Sequence, residues 1–431
     1  MFNLKENNSW TYIKLGDIVT VKHGYAFKGS NFTSENTHKV VLTPGNFKIG
    51  GGFKSEKFKF TTEECPSEYV LQGGDIVVSM TDLSKYGDTL GYSALIPKDS
   101  RYKYLHNQRI GLIKFKKEDV SRDFIYWVLR TRDFNRFLVG SATGSTVKHT
   151  SPSIIGEYHF MIPNSRSEQD SISKILSDLD AKIELNQKMN KTLESIAEAI
   201  FKHWFIDFEF PNEDRKPYKS SGGEMVDSEL GEIPKGWVIK KFWDLGKIVC
   251  GKTPSTKDIT NFGQDIPFIT IPDMSGNVFT FKTERSLSTK GANSQKTKFL
   301  PPLSVCVSCI ATPGIVTLTS TVSQTNQQIN SIVCKENISP FFVYFMAKEK
   351  SSEIINKGSG GTTTLNLNTS EFSNLRIIFP DAITLGKFNN FATHFFNKIL
   401  DNSKEILALT DIRDSLLPKL ISGKIRVPLE G

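Results

Sequence analysis

The chain has few cysteines, no long apolar run and no catalytic signature, and each shortage removes a class of function. Its five cysteines sit at 65, 250, 306, 309 and 334. Such scatter fits reduced, structural thiols and not a disulfide framework. No apolar run approaches the ~20 residues needed to cross a bilayer. The start, Met1-Phe-Asn-Leu-Lys-Glu, lacks the apolar stretch of a secretion signal, so a cytoplasmic protein away from membranes is expected. Seven histidines form no H-E-x-x-H pair, and no serine or cysteine stands in a nucleophile setting. A glycine-rich cofactor loop and the Asn/Asp-Pro-Pro-aromatic motif of amino-methylating enzymes are missing as well. The expectation is a chain with no catalytic residue, no metal and no cofactor of its own.

Three partial motifs fail on context. Gly246-Lys-Ile-Val-Cys-Gly-Lys-Thr253 matches the phosphate-loop pattern letter for letter, but Pro254 and Ser-Thr-Lys257 do not open an amphipathic helix. Cys306-Val-Ser-Cys309 has metal-ligand spacing without a second pair nearby, and it lies in an apolar, strand-like run that suits core thiols. Pro272-Asp273 followed by Glu284-Arg285 reads as a turn plus surface charge rather than a nuclease carboxylate pair. A nucleotide-hydrolysing enzyme built on 246–253 stays as one alternative, and a coiled-coil scaffold whose globular ends bind protein as another.

What the sequence does have is repetition. Trp10, Lys14, Asp17 and Gly24 fall in step with Trp237, Lys241, Asp244 and Gly251, an offset of 227. Further on, Asn107-Gln-Arg-Ile110 answers Asn326-Gln-Gln-Ile329, Tyr126 answers Tyr344, Gly140 answers Gly358, Thr146 answers Thr364, and Pro163 answers Pro380 as the offset slips to 217. A period of about two hundred residues means two copied domains, not a solenoid. Divergence in the loops of a shared scaffold points to two different targets.

Each copy reads as α+β. Short strands are expected near 18–21, 40–42, 75–78 and 110–113, then a helix over 121–138 stopped by Gly140, with a twin over 340–357. Long amphipathic helices follow each copy. Steps of four and three give Ile172, Leu176, Leu179, Ile183, Asn186, Asn190, Leu193, Ala197, Ile200 and Trp204 in the first. The second gives Leu385, Phe388, Ala392, Phe395, Ile399, Asn402, Ile406, Leu409, Arg413 and Leu416. Ser167 with Asp170 offers a capping start. Buried amides facing leucine would lose their hydrogen bonds, so the mid-length asparagines should meet. Two copies related by a two-fold axis require an antiparallel pair, with contacting residue numbers adding to about 590, such as Leu193 with Phe395 or Ile399. The expected fold is α+β: two similar α/β domains separated by two long antiparallel coiled-coil helices, with pseudo-two-fold repeat. The expected bounds are 1–164 for the first domain, 165–210 for the central helix, 211–227 for a Pro/Gly/Ser linker, 228–383 for the second domain and 384–431 for the last helix and tail.

Formal net charge is +8 and the isoelectric point about 9.0, which favours an anionic partner. The loops carry residue types that grip phosphates and read base edges, Arg or Lys toward guanine and Asn or Gln toward adenine. In the first copy these are Lys22, His23, Tyr25, Lys28, Thr81, Ser84, Lys85, Gln108, Arg109, Ser145, Thr146, Lys148 and His149. In the second they are Lys252, Thr253, Ser255, Asp273, Thr312, Gln327, Gln328, Thr362 and Thr363.

Ile175-Leu-Ser-Asp-Leu-Asp-Ala-Lys-Ile-Glu-Leu-Asn186, Leu193-Glu-Ser-Ile-Ala, Ala199-Ile-Phe-Lys-His-Trp-Phe205 and Leu416-Leu-Pro-Lys-Leu-Ile-Ser-Gly-Lys-Ile425 carry a resemblance. With the two-copy layout, the whole chain resembles the specificity subunit of type I restriction-modification enzymes. The resemblance implies two domains that each read half of a split, asymmetric site in double-stranded DNA. It implies helices that act as a ruler and dock two methyltransferase subunits, with restriction (motor-nuclease) subunits joining. S-adenosylmethionine, ATP and Mg2+ would then belong to those partners. A helix over 167–204 spans ~55 Å at 1.5 Å per residue, comparable with one to one and a half turns of duplex.

Overall fold

The computed structural model describes residues 9–84, 86–144, 147–358 and 366–428. The chain forms two compact units, Met1–Ile183 with Ala408–Gly431, and Glu184–Leu407. The boundary falls inside both long helices and not at the domain edges expected from composition.

The first unit begins with β1 (Trp10–Lys14), β2 (Val19–His23), β3 (Phe32–Thr33), β4 (Lys39–Val41) and β5 (Lys59–Thr61). Then come β6 (Ile76–Ser79), β7 (Thr81–Asp82), β8 (Ser93–Leu95), β9 (Lys103–Leu105) and β10 (Ile110–Phe115). Helices α1 (Arg122–Val128) and α2 (Arg132–Ser141), strand β11 (Lys148–His149), α3 (Pro152–Gly156) and β12 (His159–Pro163) complete it before the long helix α4 (Arg166–Phe205). The second unit runs through β13 (Met225–Val226), β14 (Ile233–Pro234), β15 (Val238–Lys241), α5 (Phe242–Leu245) and β16 (Gly246–Cys250). It continues with β17 (Phe262–Gly263), β18 (Ile266–Ile269), α6 (Ile271–Met274), β19 (Phe279–Thr280), β20 (Arg285–Leu287) and α7 (Thr289–Asn293). After β21 (Val305–Ser308), β22 (Val316–Thr319), β23 (Gln324–Thr325) and β24 (Ile329–Cys334) come α8 (Pro340–Glu349), α9 (Ser351–Gly358), α10 (Thr369–Ser373), β25 (Arg376–Phe379) and the long helix α11 (Ala382–Ile421).

The repeat in sequence is a repeat in topology. Sheet β2-β10-β6-β8 has its counterpart in β16-β24-β21-β22, which gains β19 at its edge; β3-β5-β4-β9 matches β17-β20-β18-β23; and ribbon β1·β12 matches β15·β25. Even the exception recurs, since β4 pairs with β9 in parallel and β18 with β23 in parallel. The matched tryptophans anchor sheet to helix: the Trp10 indole donates to Glu168 at 3.3 Å, and that of Trp237 to Asp381 at 3.1 Å, each acid standing at the start of a long helix.

The long helices pair antiparallel within each unit. In the second, Asn402 Nδ2 donates to Asn190 Oδ1 at 2.9 Å, Asn190 Nδ2 to Ser403 Oγ at 3.1 Å and Asn186 Nδ2 to Glu405 Oε2 at 2.9 Å. In the first, Asp180 is shared by Arg130 (2.6 Å) and Arg413. Burial alone would raise the Asp180 carboxyl, but the two guanidinium groups outweigh it and hold it below the usual carboxylate range. Numbers of the helix-to-helix partners add to between 591 and 593, against the expected 590.

Several sequence expectations change. The 121–138 helix breaks: Leu129 ends α1, and Thr131 Oγ1 accepts from Phe134 N to start α2, which runs past Gly140 to Ser141. Its twin breaks at Lys350. Helix α4 starts before Ser167, and the first-turn amide of Glu168 donates to Ser165 Oγ, while Asp170 binds Arg166 and Ser121. At 395–396 in α11 the fully buried ring is Phe396 rather than Phe395, because here the helix also faces the domain: Phe396 stacks on Phe341 at 4.3 Å. Leu193 and Phe395 pack at the margin of the same core, which contains Ile399. The 211–227 stretch is folded onto the second unit, with Tyr218 stacked on Phe210 at 4.5 Å and Phe210 on Trp237 at 4.9 Å.

Candidate nucleic-acid interface

Two repeated pairs far apart in sequence meet in space, and they do so in both units. In the first, Gly24 follows β2 and passes so close to the chain at Asn107 that an added Cβ would stand 2.3 Å from its carbonyl. In the second, Gly251 follows β16, and a Cβ there would stand 2.0 Å from Asn326 O. Only glycine allows that approach. The backbone bonds match as well: Tyr25 N donates to His106 O at 2.7 Å and Lys252 N to Thr325 O at 2.9 Å. Asn107 and Asn326 each fold their side-chain oxygen back onto the amide two residues on, Arg109 N at 2.9 Å and Gln328 N at 3.1 Å. This Asx turn pushes the intervening side chains outward.

What the shared turn presents differs between the copies. The first exposes Gln108 and Arg109. The second exposes Gln327, whose Oε1 accepts from Thr253 Oγ1 at 2.7 Å, while Asn326 Nδ2 donates to Gln328 Oε1 at 2.9 Å. Below the first turn, His106 is fully buried; its Nε2 bonds Ile110 O at 2.8 Å, and burial pushes its pKa down to about 4.

The remaining candidates extend these edges. In the first unit, Met80 N donates to Arg109 O and Thr150 N to Met80 O, which joins the turn to the β7·β11 ribbon. On that ribbon Thr81 Oγ1 and His149 Nδ1 lie 3.1 Å apart, and Lys148 pairs with Asp82 in register. Burial alone would raise the Asp82 carboxyl, but hydrogen bonds from Thr89 and Ser84 outweigh it and hold it below the usual carboxylate range. Ser84 thus belongs to a loop fixed from beneath. Lys22 is already engaged, with Nζ 2.5 Å from Glu68 and 4.7 Å over the Tyr69 ring, and Tyr25 packs on Phe27 and Tyr69. His23 and Lys28 are exposed, and Lys28 N donates to Glu63. In the second unit, Ser255 O accepts from Asn261, and Thr312 O accepts from Ser308 beside Cys309, whose N donates to Gln328 O. The Asp273 carboxylate is taken up by Thr270 and by Glu284 N, where it caps α6. Lys85, Ser145, Thr146, Thr362 and Thr363 lie outside the described residues. The sequence reading passed over Lys296 and Lys298, which form a turn tied to the Lys252 loop through Gln295.

The partial motifs resolve as well. Residues 246–250 are strand β16, bonded along its length to β24, and no helix opens after Gly251, so this is not a phosphate loop. Cys306 and Cys309 are free, buried thiols pushed up to about 12 and about 11 by burial. Among the described residues no three of His, Cys, Asp and Glu converge to hold a metal ion, and no helix is long and apolar enough to cross a membrane.

Two copies of one α+β domain each carry the same turn with different polar tips. Residues 7–195 and 234–408 match the family model for the type I restriction modification DNA specificity domain, and the chain belongs to that family as a type I restriction-modification specificity subunit. It is 36% identical over 403 residues to the specificity subunit of the type I restriction enzyme HindI of Haemophilus influenzae, covering 79% of this chain and 87% of that one. It is 30% identical over 317 residues to the MjaIX specificity subunit of Methanocaldococcus jannaschii, covering 72% and 71%. The crystal structure of a type I restriction-modification S subunit from M. genitalium shares the fold, with a TM-score of 0.59 at 14% identity over 97% of each chain.

Proposed function

We propose that this chain reads a split, asymmetric site in double-stranded DNA, one half per unit, and docks two methyltransferase subunits and the restriction (motor-nuclease) subunits in the cytoplasm. The observation that carries the reading is the twice-built turn: identical backbone geometry at Gly24/Asn107 and Gly251/Asn326, with tips Gln108-Arg109 in one copy and Gln327-Gln328 in the other. A fixed platform with interchangeable tips suits base reading, since Arg pairs with guanine and Gln with adenine through two hydrogen bonds each. Chemistry belongs to the partners: S-adenosylmethionine on the methyltransferase subunits, ATP and Mg2+ on the motor-nuclease subunits. The purified chain alone is expected neither to methylate nor to cleave DNA, nor to hydrolyse ATP.

The test is to express the chain with its partner subunits in a host free of endogenous methylation and to sequence the methylated sites. The expected outcome is a two-part motif with a fixed spacer. Arg109→Ala should relax one position of one half, a loss of ~1–3 kcal/mol of discrimination there, and leave the other half as it was. A single contiguous motif, or relaxation of both halves by Arg109→Ala, overturns the reading.

A further inference from the structure

We propose that the second unit carries a phosphate-gripping ledge which the first unit lacks, made of Lys252 and Lys257 in the loop after β16 and Lys296 and Lys298 in the turn beside it. The inference rests on the DNA-reading function above and adds to it an unequal division of labour between the two copies.

The turn Lys296–Lys298 is a single 3-10 turn, too short to hold a position by itself. Gln295 fixes it. Its side chain is 6% exposed, and Nε2 donates both to Lys252 O at 2.8 Å and to Gln324 Oε1 at 2.7 Å. Gln324 in turn donates to Ala292 O at 3.0 Å. The residue before Lys296 is therefore tied both to the loop that carries Lys252 and to strand β23. Lys252, Lys257 and Lys296 are exposed and Lys298 half-buried; none of the four makes an ion pair among the described residues. The nearby acid is already used, for Asp258 holds Lys290 at 2.9 Å.

The first unit builds the same turn with opposite chemistry. There Ser67–Tyr69 precedes the bridge Val70↔Leu105, as Lys296–Lys298 precedes Leu300↔Ser323. The stretch 62–70 has three acids, Glu63, Glu64 and Glu68, and no base; the stretch 289–299 has three lysines and no acid. Glu68 neutralises Lys22, and Tyr25, the counterpart of Lys252, packs on Tyr69 with ring centroids 5.5 Å apart. One copy thus presents aromatic rings and carboxylates where the other presents free ammonium groups. Unpaired ammonium groups on a backbone held by Gln295, next to a base-reading turn, fit backbone phosphates, whose contacts release counterions and carry no sequence information.

The experiment uses the assembled complex with its cognate duplex, and measures affinity between 50 and 200 mM salt together with the methylated motif. For Lys296→Ala/Lys298→Ala the slope of log K against log salt should become shallower by about 2, near 0.9 per lost phosphate contact. The motif should stay the same, and Lys296→Arg/Lys298→Arg should restore the slope. An unchanged slope in the alanine variant, a changed motif, or loss of partner assembly in place of DNA affinity overturns the ledge. If the unsubstituted complex itself binds DNA without salt dependence, the DNA-reading function fails before the ledge is tested.

Discussion

A buried histidine beneath a surface turn ties the stability of the fold to pH. His106 is sealed under the Asn107–Arg109 turn and stays neutral, with its pKa pushed down to about 4 from a free value of 6.5. Between pH 6.5 and about 4 the unfolded chain binds a proton that the folded chain refuses, so stability falls as pH falls through that window and is unaffected above it. A shift of this size corresponds to about 3 kcal/mol by pH 4. His106→Gln keeps a donor for Ile110 O and removes the titration. Urea midpoints from pH 7 to 4 should fall more steeply for the natural chain than for this variant; parallel curves would mean that His106 contributes no such linkage. The residues that make the turn were legible in sequence as matched Gly and Asn pairs, because an invariant backbone need leaves a recurring residue. The ion pair of Lys22 with Glu68 and the capping role of Asp273 were not, since each depends on a partner that only tertiary closure supplies.

At the scale of elements, the antiparallel helix pair follows from a seam with polar positions at mid-length, and the amides meet as the seam requires. Asn402→Leu would leave Asn190 Oδ1 without its donor at 2.9 Å, a cost of about 1–2 kcal/mol. Asn190→Leu would strand Asn402 and Ser403 in the same way. The double variant removes both ends of the hydrogen bond and should cost less than the sum of the singles by about 0.5 kcal/mol or more. Urea unfolding of the four proteins measures this, and strict additivity would show that the amides do not act as a pair. Periodicity exposed the seam because a two-helix contact repeats every three to four residues. It could not expose the break at 129–131, where apolar spacing stays in phase and only the Thr131 side chain marks a new start. Nor could it distinguish Phe396 from Phe395, because in α11 a second surface, the Phe341 and Phe345 side of the domain, competes for the helix.

For the whole molecule, the units do not coincide with the copies seen in sequence, and this decides how specificity can be exchanged. The core of the second unit takes Phe201 and Phe205 from α4 and Phe388 and Phe396 from α11, packed on Phe342 and Phe345 of α8. The core of the first takes Ile172 and Leu176 from α4 and Leu417, Leu420 and Ile421 from the end of α11. Exchanging only 228–380 for the equivalent piece of a relative would set foreign residues against resident Phe201, Phe205, Phe388 and Phe396. Mismatched large side chains in a filled core cost about 1–3 kcal/mol each. Exchanging Glu184–Leu407 as one block keeps that core from a single source and cuts each helix where the two units divide. The block exchange should therefore hold the melting temperature of the assembled complex and change one half of the methylated motif, whereas the shorter exchange should lower the melting temperature even where it changes the same half. Melting curves and methylated-site sequencing of both chimaeras decide the matter: equal stability of the two would show that the helix residues do not have to match the core they enter, and a motif altered in both halves by the block exchange would show that the units are not the carriers of specificity.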